Sequence, residues 1–364
     1  MTDVVLVTGA TGYLGKRAIR ALLERDDSEV LALVRASSDD ALEGRRRALA
    51  EELRASNGRL SVMAVDLEDP SSFEKVDVSR VTHILHAAAI TRFNVDAQLA
   101  TRVNLEGSRA VFELGRRCPR LRSFGHVSSL YACGLVQGRI EERPFLARPA
   151  FANEYERSKH EAERLLLDEH GDLPWRILRV ATVIADDERG AVGQHNAFHN
   201  TLRLLFYGLL SLAPGDPAVP LYLVTGDFAA RALVELTLQG ERGGVYHVAP
   251  SREESPTLGS LLQLAWERFQ QEEDFRARNV LQPLFCDEES FRLLSREADA
   301  FGSGVLAQGL ASVRSFAAQL FLEKDARNDR LQGALSSYRV PDPATLLERT
   351  CAHLVKTRWG RRAA

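Results

Sequence analysis

At 364 residues, 45% apolar and 27% charged, the chain has enough material for one large domain and a smaller companion. Its net charge of −3 gives no electrostatic reason to expect a nucleic-acid partner. Apolar runs stop short of the ~18–20 residues that a membrane-spanning helix needs, and Cys118, Cys133, Cys286 and Cys351 are too scattered for a disulfide framework or a zinc site. The chain opens on strand-like residues 4–7, which leave no room for a cleavable signal, so a cytoplasmic location is expected.

The first 185 residues alternate short apolar runs with amphipathic stretches. Strands are predicted over residues 4–7, 30–34, 61–65, 83–86, 123–127 and 176–180, and helices over 16–24, 97–116 and 155–169. Fully apolar strands alternating with helices indicate a parallel sheet covered on both faces. This is the doubly wound α/β Rossmann arrangement, in which ligands bind beyond the carboxyl ends of the strands.

After the first strand, Thr8-Gly9-Ala10-Thr11-Gly12-Tyr13-Leu14-Gly15 sets three glycines at GxxGxxG spacing just before a helix. One glycine leaves the strand in a tight turn, a second lets the backbone approach a pyrophosphate, and the third lets the helix pack closely. The helix N-terminus then offers free N–H groups to phosphate. The spacing is a variant of the GxGxxG fingerprint. The second strand ends in Arg35, where an acidic residue would bond the ribose hydroxyls of NAD. A guanidinium suits the 2′-phosphate of NADPH, with a solvated surface arginine as the alternative. Asp66, with Leu67 beside it, ends the third strand where the adenine would lie. Ala87, Ala88 and Ala89 end the fourth, where small side chains either admit the dinucleotide to the backbone or simply pack.

Asn104 falls inside the predicted helix 97–116, a position that disfavours asparagine unless it bends the backbone, serves a site or faces solvent. Ser128 and Ser129 follow the fifth strand, where a hydroxyl can bond a carbonyl oxygen and the oxyanion developing on it. Tyr155-Glu156-Arg157-Ser158-Lys159 puts a phenol and an ammonium one helical turn apart, the pairing that can bring a phenol toward neutral titration. The lysine is telling, because among 47 basic residues lysine occurs only at Lys16, Lys75, Lys159, Lys324 and Lys356.

Beyond residue 186 the rhythm breaks. Strand-like 221–224 and 245–248 could return to the main sheet, and from Thr257 the sequence is almost wholly helical, with breaks near Gly302-Ser303-Gly304 and 339–343. The oily stretch 202–213 either lines a channel or forms a buried core helix. The expected division is a cofactor-binding domain of residues 1–190, with 219–250 returning to it. Residues 191–218 and 251–364 then form a smaller, mainly helical C-terminal substrate region.

Together these residues resemble the extended branch of the short-chain dehydrogenase/reductase superfamily, and within it the fatty acyl-CoA reductase and thioester reductase group. The glycine loop, Arg35, Asn104, Ser129, Tyr155 and Lys159 match. His86-Ala87-Ala88-Ala89-Ile90-Thr91-Arg92-Phe93, running to Asn104-Leu105-Glu106-Gly107-Ser108, is close to the HxAAxxxF…NxxGT text of acyl reductases. The likeness covers about residues 4–250. Two departures are Arg179-Val180-Ala181, where Arg-Pro-Ser is usual, and Ala185-Asp186, where glycine-aspartate is usual.

The resemblance implies an NADPH-dependent reductase acting on the carbonyl of an acyl thioester or the derived aldehyde. Ser129 would hold the carbonyl oxygen and Tyr155 deliver the proton. Lys159 would lower the phenol's pKa and grip the nicotinamide ribose, and Asn104 would hold a water relaying protons to Lys159. The substrate would be a small acyl or carbonyl compound, on coenzyme A or an acyl carrier protein; a homodimer is compatible. Alternatives are a ketone or aldehyde reductase of small hydrophobic substrates and an NAD-dependent nucleotide-sugar epimerase or dehydratase, against which Arg35 speaks. A redox-sensing binding protein is a third, against which the Ser129, Tyr155 and Lys159 set speaks.

Overall fold

The computed structural model describes residues 2–54, 58–300, 310 and 313–360; the break at Gly302-Ser303-Gly304 lies outside them. In chain order the strands are β1 (Asp3–Thr8), β2 (Ser28–Val34), β3 (Leu60–Ala64), β4 (His83–His86), β5 (Ser123–Ser129), β6 (Gly138–Ile140), β7 (Trp175–Val180), β8 (Thr182–Ala185), β9 (Leu212–Pro214), β10 (Leu223–Thr225), β11 (Gly244–Val248), β12 (Leu284–Cys286) and β13 (Lys324–Ala326). Seven of them make one sheet in the order β11-β7-β5-β4-β1-β2-β3, every pair parallel. The strand order reverses beside β1, so the carboxyl ends open a crevice there.

Both faces of this sheet are covered, and its strands send buried side chains into each. Val5, Val7, Leu85 and Leu178 pack on one side with α1 (Tyr13–Leu23) and with Phe228, Ala229 and Leu233 of the helix Gly226–Gln239. Alternate residues Leu6, Ile84, Phe124 and Ile177 pack on the other side with Val111, Phe112, Leu165 and Leu166. Each such side chain taken fully out of water contributes roughly 1.5–3 kcal/mol. A third apolar cluster joins Leu202, Leu205 and Phe206 to Leu258, Leu261, Leu347, Leu354 and Trp359, and builds the C-terminal layer.

Three two-stranded parallel pairs lie outside the main sheet: β10 with β8, β12 with β9, and β13 with β6. Of the two strands expected to return, 244–248 joins the main sheet beside β7, whereas 223–225 pairs with β8. The C-terminal region is mainly helical but is interrupted by β12 and β13, whose three residues each are too short to show a period of two. The oily stretch 202–213 completes a helix, Ala197–Phe206, then turns into β9. No helix among the described residues is long and apolar enough to cross a membrane.

Candidate active site

The turn after β1 is built by glycine. Gly9 has φ +68°, and a Cβ there would sit 2.7 Å from Ala88 N; a Cβ on Gly15 would sit 2.1 Å from Gly9 O. Strand end, loop and α1 therefore approach more closely than any side chain permits. α1 begins after Gly12, whose extended backbone offers no side-chain cap, so the first N–H groups of the helix point out of the loop unclaimed by a neighbouring side chain. This is a cradle for a dinucleotide phosphate. Thr8 faces inward instead: its Oγ1 accepts from Ala88 N at 3.2 Å and lies 2.7 Å from His86 Nδ1.

Tyr13 and the departure at Ala185-Asp186 meet here. The Tyr13 hydroxyl donates to Asp186 Oδ1 at 2.7 Å, and Arg17 Nη2 pairs with the same carboxylate at 2.8 Å while stacking on the Tyr13 ring. Burial and Asp186 hold this phenol far above its ordinary pKa. Arg35 is exposed at the end of β2 and makes no ion pair among the described residues. Arg46 and Arg47 both pair with Glu43, and Arg59 donates to backbone carbonyls, Leu23 O at 2.6 Å among them. Asp66 Oδ1 accepts from Glu68 N at 3.0 Å, and Leu67 lies over Gly107, where a Cβ would be 2.9 Å from its own Cβ.

Asn104 is buried and sits in a π-helical stretch, Thr101–Glu106, within the longer helix. Its Oδ1 accepts from Ile90 N at 2.8 Å, and its Nδ2 donates to Ile90 O at 3.0 Å and to Ser158 Oγ at 2.9 Å. The side chain thus replaces backbone partners for the chain leaving β4, and a widened helical turn is the local distortion that lets it reach. Three of the four hydrogen-bonding positions of its amide are thus taken by protein partners.

A cavity of about 980 Å³ runs from this cradle past the end of β5. Gly12, Tyr13, Leu14 and Gly15 line it at one end, Ala87 and Ala89 beside them, then Ser128, Ser129, Tyr155 and Lys159. Thr8, Gly9, Thr11, Arg35, Asp66, Leu67, Ala88 and Asn104 lie outside the lining. The helix α5 of this chain order, Glu154–Glu169, starts at Asn153, whose side chain accepts from Glu156 N, and Glu154 and Glu156 complement its positive end. Tyr155 and Lys159 therefore enter the cavity from its first two turns. The Tyr155 ring meets Phe93 at 5.7 Å between centroids, and Phe93 also meets Tyr131 and Phe316.

Burial pushes the Tyr155 phenol up to about 12, against a lowering contribution from the Ser129 hydroxyl. The expected depression by Lys159 is not what the geometry gives. Its Nζ donates to Val127 O at 2.6 Å, and burial brings its own pKa down to about 8. The two serines part company: Ser128 Oγ donates to Glu163 Oε1 at 2.5 Å, while Ser129 Oγ accepts the Tyr131 N–H at 3.2 Å and hydrogen-bonds the Tyr155 hydroxyl.

Beneath this floor Glu163 binds Arg179 through both Nε and Nη2, at 2.7 Å for the shorter pair, and the guanidinium lies 3.5 Å over the Phe145 ring. Both side chains are at most 2% exposed. Replacing Glu163 by alanine would strand this cation, and is expected to cost about 3–5 kcal/mol of stability, read as a lower urea midpoint; an unchanged midpoint would show the pair to be idle.

Beyond these the lining is mixed, with Gln194, His195, Asn196, Asn200 and Thr201 beside apolar side chains. Val192, Phe198, Leu202, Leu221, Leu258 and Leu320 are among the apolar ones. Of the oily stretch 202–213 only Leu202 lines the cavity, while Leu205, Phe206, Leu210 and Ala213 pack with it in the core. Phe316 and Gln319 come from the last sixth of the chain, and nothing in their local sequence announces them. Phe93 carried a signal in its motif, and Tyr131 one in the segment 131–134 that follows Ser129; Thr182, 3.2 Å from Tyr131 through their hydroxyls, carried none.

The NAD-binding family model described as male sterility protein matches residues 7–233. The chain belongs to this family. D-erythronate dehydrogenase of Cupriavidus necator is 26% identical over 249 residues, 66% of this chain and 74% of that one. Sterol demethylase protein B of Methylococcus capsulatus is 30% identical over 266 residues, 71% of this chain and 72% of that one. The chloroplastic fatty acyl-CoA reductase 2 of Arabidopsis thaliana is 29% identical over 172 residues, 41% of this chain and 28% of that one, so the chain spans under a third of that reductase. Among solved structures, the terminal R domain of the myxalamid pathway superposes with a TM-score of 0.74 at 20% identity, covering 98% of this chain and 92% of that one. UDP-glucuronic acid 4-epimerase from Bacillus cereus superposes at 0.65 and 18% identity, covering 98% and 99%. At such identities the structural likeness concerns the fold. This member of the male sterility family is an NAD(P)-dependent oxidoreductase of the extended short-chain dehydrogenase/reductase fold, similar in sequence to fatty acyl-CoA reductases and in fold to the terminal R domain of the myxalamid pathway.

Proposed function

We propose that the protein is an NADPH-dependent reductase of an acyl thioester or its aldehyde. The observation that carries this is a single cavity joining the glycine cradle, the Tyr155 phenol with Ser129 beside it, and apolar side chains suited to a hydrocarbon chain. Gly9, Gly12 and Gly15 with the start of α1 would hold the pyrophosphate, Arg35 the 2′-phosphate, and Asp66 with Leu67 the adenine side. When bound, NADPH supplies the hydride. Ser129, which hydrogen-bonds the Tyr155 hydroxyl, would turn its proton to the substrate carbonyl oxygen, and Tyr155 would then protonate the alkoxide. Lys159 would hold the ribose with its ammonium, which Val127 O now orients. Asn104 acts as a bracket between Ile90 and Ser158, and any relay water would rest on its main-chain carbonyl, which also accepts from Ser108 Oγ.

The division of labour assigns residues 1–190 and 219–250 to the cofactor, and 191–218 with 251–364 to the substrate. The test follows NADPH absorbance against acyl-CoAs, acyl-carrier thioesters, aldehydes and ketones. Oxidation with thioesters or long-chain aldehydes is the expected result. Activity confined to small ketones, or protein purified with tightly held NAD and inert to the whole panel, would overturn it.

A further inference from the structure

The segment that leaves β4 is fastened at intervals along one wall of the cavity. Asn104 holds Ile90 by its N–H and by its carbonyl, at 2.8 and 3.0 Å. Phe93 packs its ring against Tyr155, Tyr131 and Phe316, with centroids no more than 6.2 Å apart. Val95 is buried, and its N–H donates to Arg92 O. Between these fixed points Thr91, Arg92 and Asn94 line the cavity and yet are exposed, so they stand at its mouth. The Arg92 side chain has no hydrogen bond, ion pair or ring contact among the described residues. The other charges of the lining are taken. Lys159 Nζ donates to Val127 O, and Asp186 holds Tyr13 and Arg17. Burial keeps the imidazoles of His195 and His199 below their ordinary pKa. Arg92 is therefore the cation of the described lining whose backbone is fixed and whose charge is unclaimed.

Resting on the assignment of the reacting carbonyl to Ser129 and Tyr155, we infer that Arg92 anchors an anionic group, phosphate or carboxylate, which the substrate carries away from that carbonyl. A guanidinium presents a planar fork that matches the oxygens of either group. Its base is one residue from the ring that packs on the phenol, so a substrate held at Ser129 brings its outer part past Arg92. A neutral substrate leaves this guanidinium in water and gains nothing from it. Because the backbone on either side is already pinned, less freedom is lost when an oxyanion binds. The phosphates of the dinucleotide have other partners in this reading, the turn at Gly12–Gly15 and Arg35. An anion on the thiol arm and one at the end of the acyl chain offer the same oxygens; they differ in the side of the carbonyl on which the charge lies.

The test is calorimetric binding to the protein loaded with NADP⁺, where no hydride is available. Three ligands share one acyl length. S-dodecanoyl pantetheine is neutral, S-dodecanoyl phosphopantetheine adds a phosphate on the thiol arm, and the pantetheine thioester of dodecanedioic acid adds a carboxylate at the chain end. One charged ligand should bind about tenfold tighter than the neutral one, and its identity says where the substrate carries its anion. Arg92→Gln should erase that preference and leave Kd for the neutral ligand and for NADPH within about twofold of the wild type. Arg92→Lys, which keeps the charge, should retain part of the preference, and added salt should weaken it in the wild type. No preference in the wild type, a preference that survives Arg92→Gln, or a loss shared by the neutral ligand or by NADPH overturns the inference. Turnover with NADPH is measured beside binding. Turnover without a charge preference removes the anion site alone; a charge preference without turnover of any carbonyl compound removes the reductase reading and leaves the anion site standing. Failure of all three ligands to bind removes both.

Discussion

Tyr155→Phe is expected to lower kcat by about a thousandfold, within the 10²–10⁴ that a positioned proton donor supplies, or ~4 kcal/mol of transition-state stabilisation. The change deletes one oxygen and leaves the ring to pack on Phe93, so the floor of the cavity should keep its shape. NADPH affinity, measured by fluorescence titration, should therefore stay within about twofold, because the glycine cradle lies at the other end of the cavity and shares no hydrogen bond with the phenol. In the wild type the phenol, pushed up to about 12, is protonated throughout the neutral range, the form reduction needs. Single-turnover oxidation of NADPH separates this from a defect in product release. A variant that turns over at the wild-type rate would mean that another group protonates the product.

Arg35→Ala should weaken NADPH binding by about 30- to 100-fold and leave NADH binding nearly unchanged. A charge-assisted hydrogen bond to phosphate contributes roughly 2–3 kcal/mol, and NADH has no phosphate at that position. The size of the effect depends on Arg35 standing exposed at the carboxyl end of β2 with no carboxylate to compete for it, while Arg46, Arg47 and Arg59 are already bound elsewhere. Because the contact is exposed, the difference between the two cofactors should shrink with added salt. Equal losses for both cofactors, by calorimetry, would remove the 2′-phosphate assignment.

The sheet was legible because each strand carries a short apolar run set off by turns: residues 83–86 are a strand from end to end, 61–65 shifts by one residue to 60–64, and the others extend by one or two residues. Asn104 was legible as an anomaly. An amide within a helix had to do something, and it widens the helix to reach Ile90. Arg179 in place within Arg179-Val180-Ala181 could not reveal that it would be wholly buried on Glu163, since that pairing depends on where two elements cross. Nor could the sequence reveal that Gln319 reaches Glu156 across 163 positions, because neither residue departs from ordinary local composition. Short-range pattern specifies elements; what completes the far wall of the cavity is long-range placement. The same holds for Ser128 and Ser129, whose different fates follow from the alternation of faces at the end of β5.

The pairing of β13 with β6 has a consequence for how the protein is made. It ties residues 324–326 to 138–140, a contact that a chain leaving the ribosome cannot form until nearly all of it has emerged. The nucleotide cradle, complete within the first ninety residues or so of sequence contacts, is assembled early by comparison. A nascent chain would thus complete the glycine turn well before β13 arrives to pair with β6.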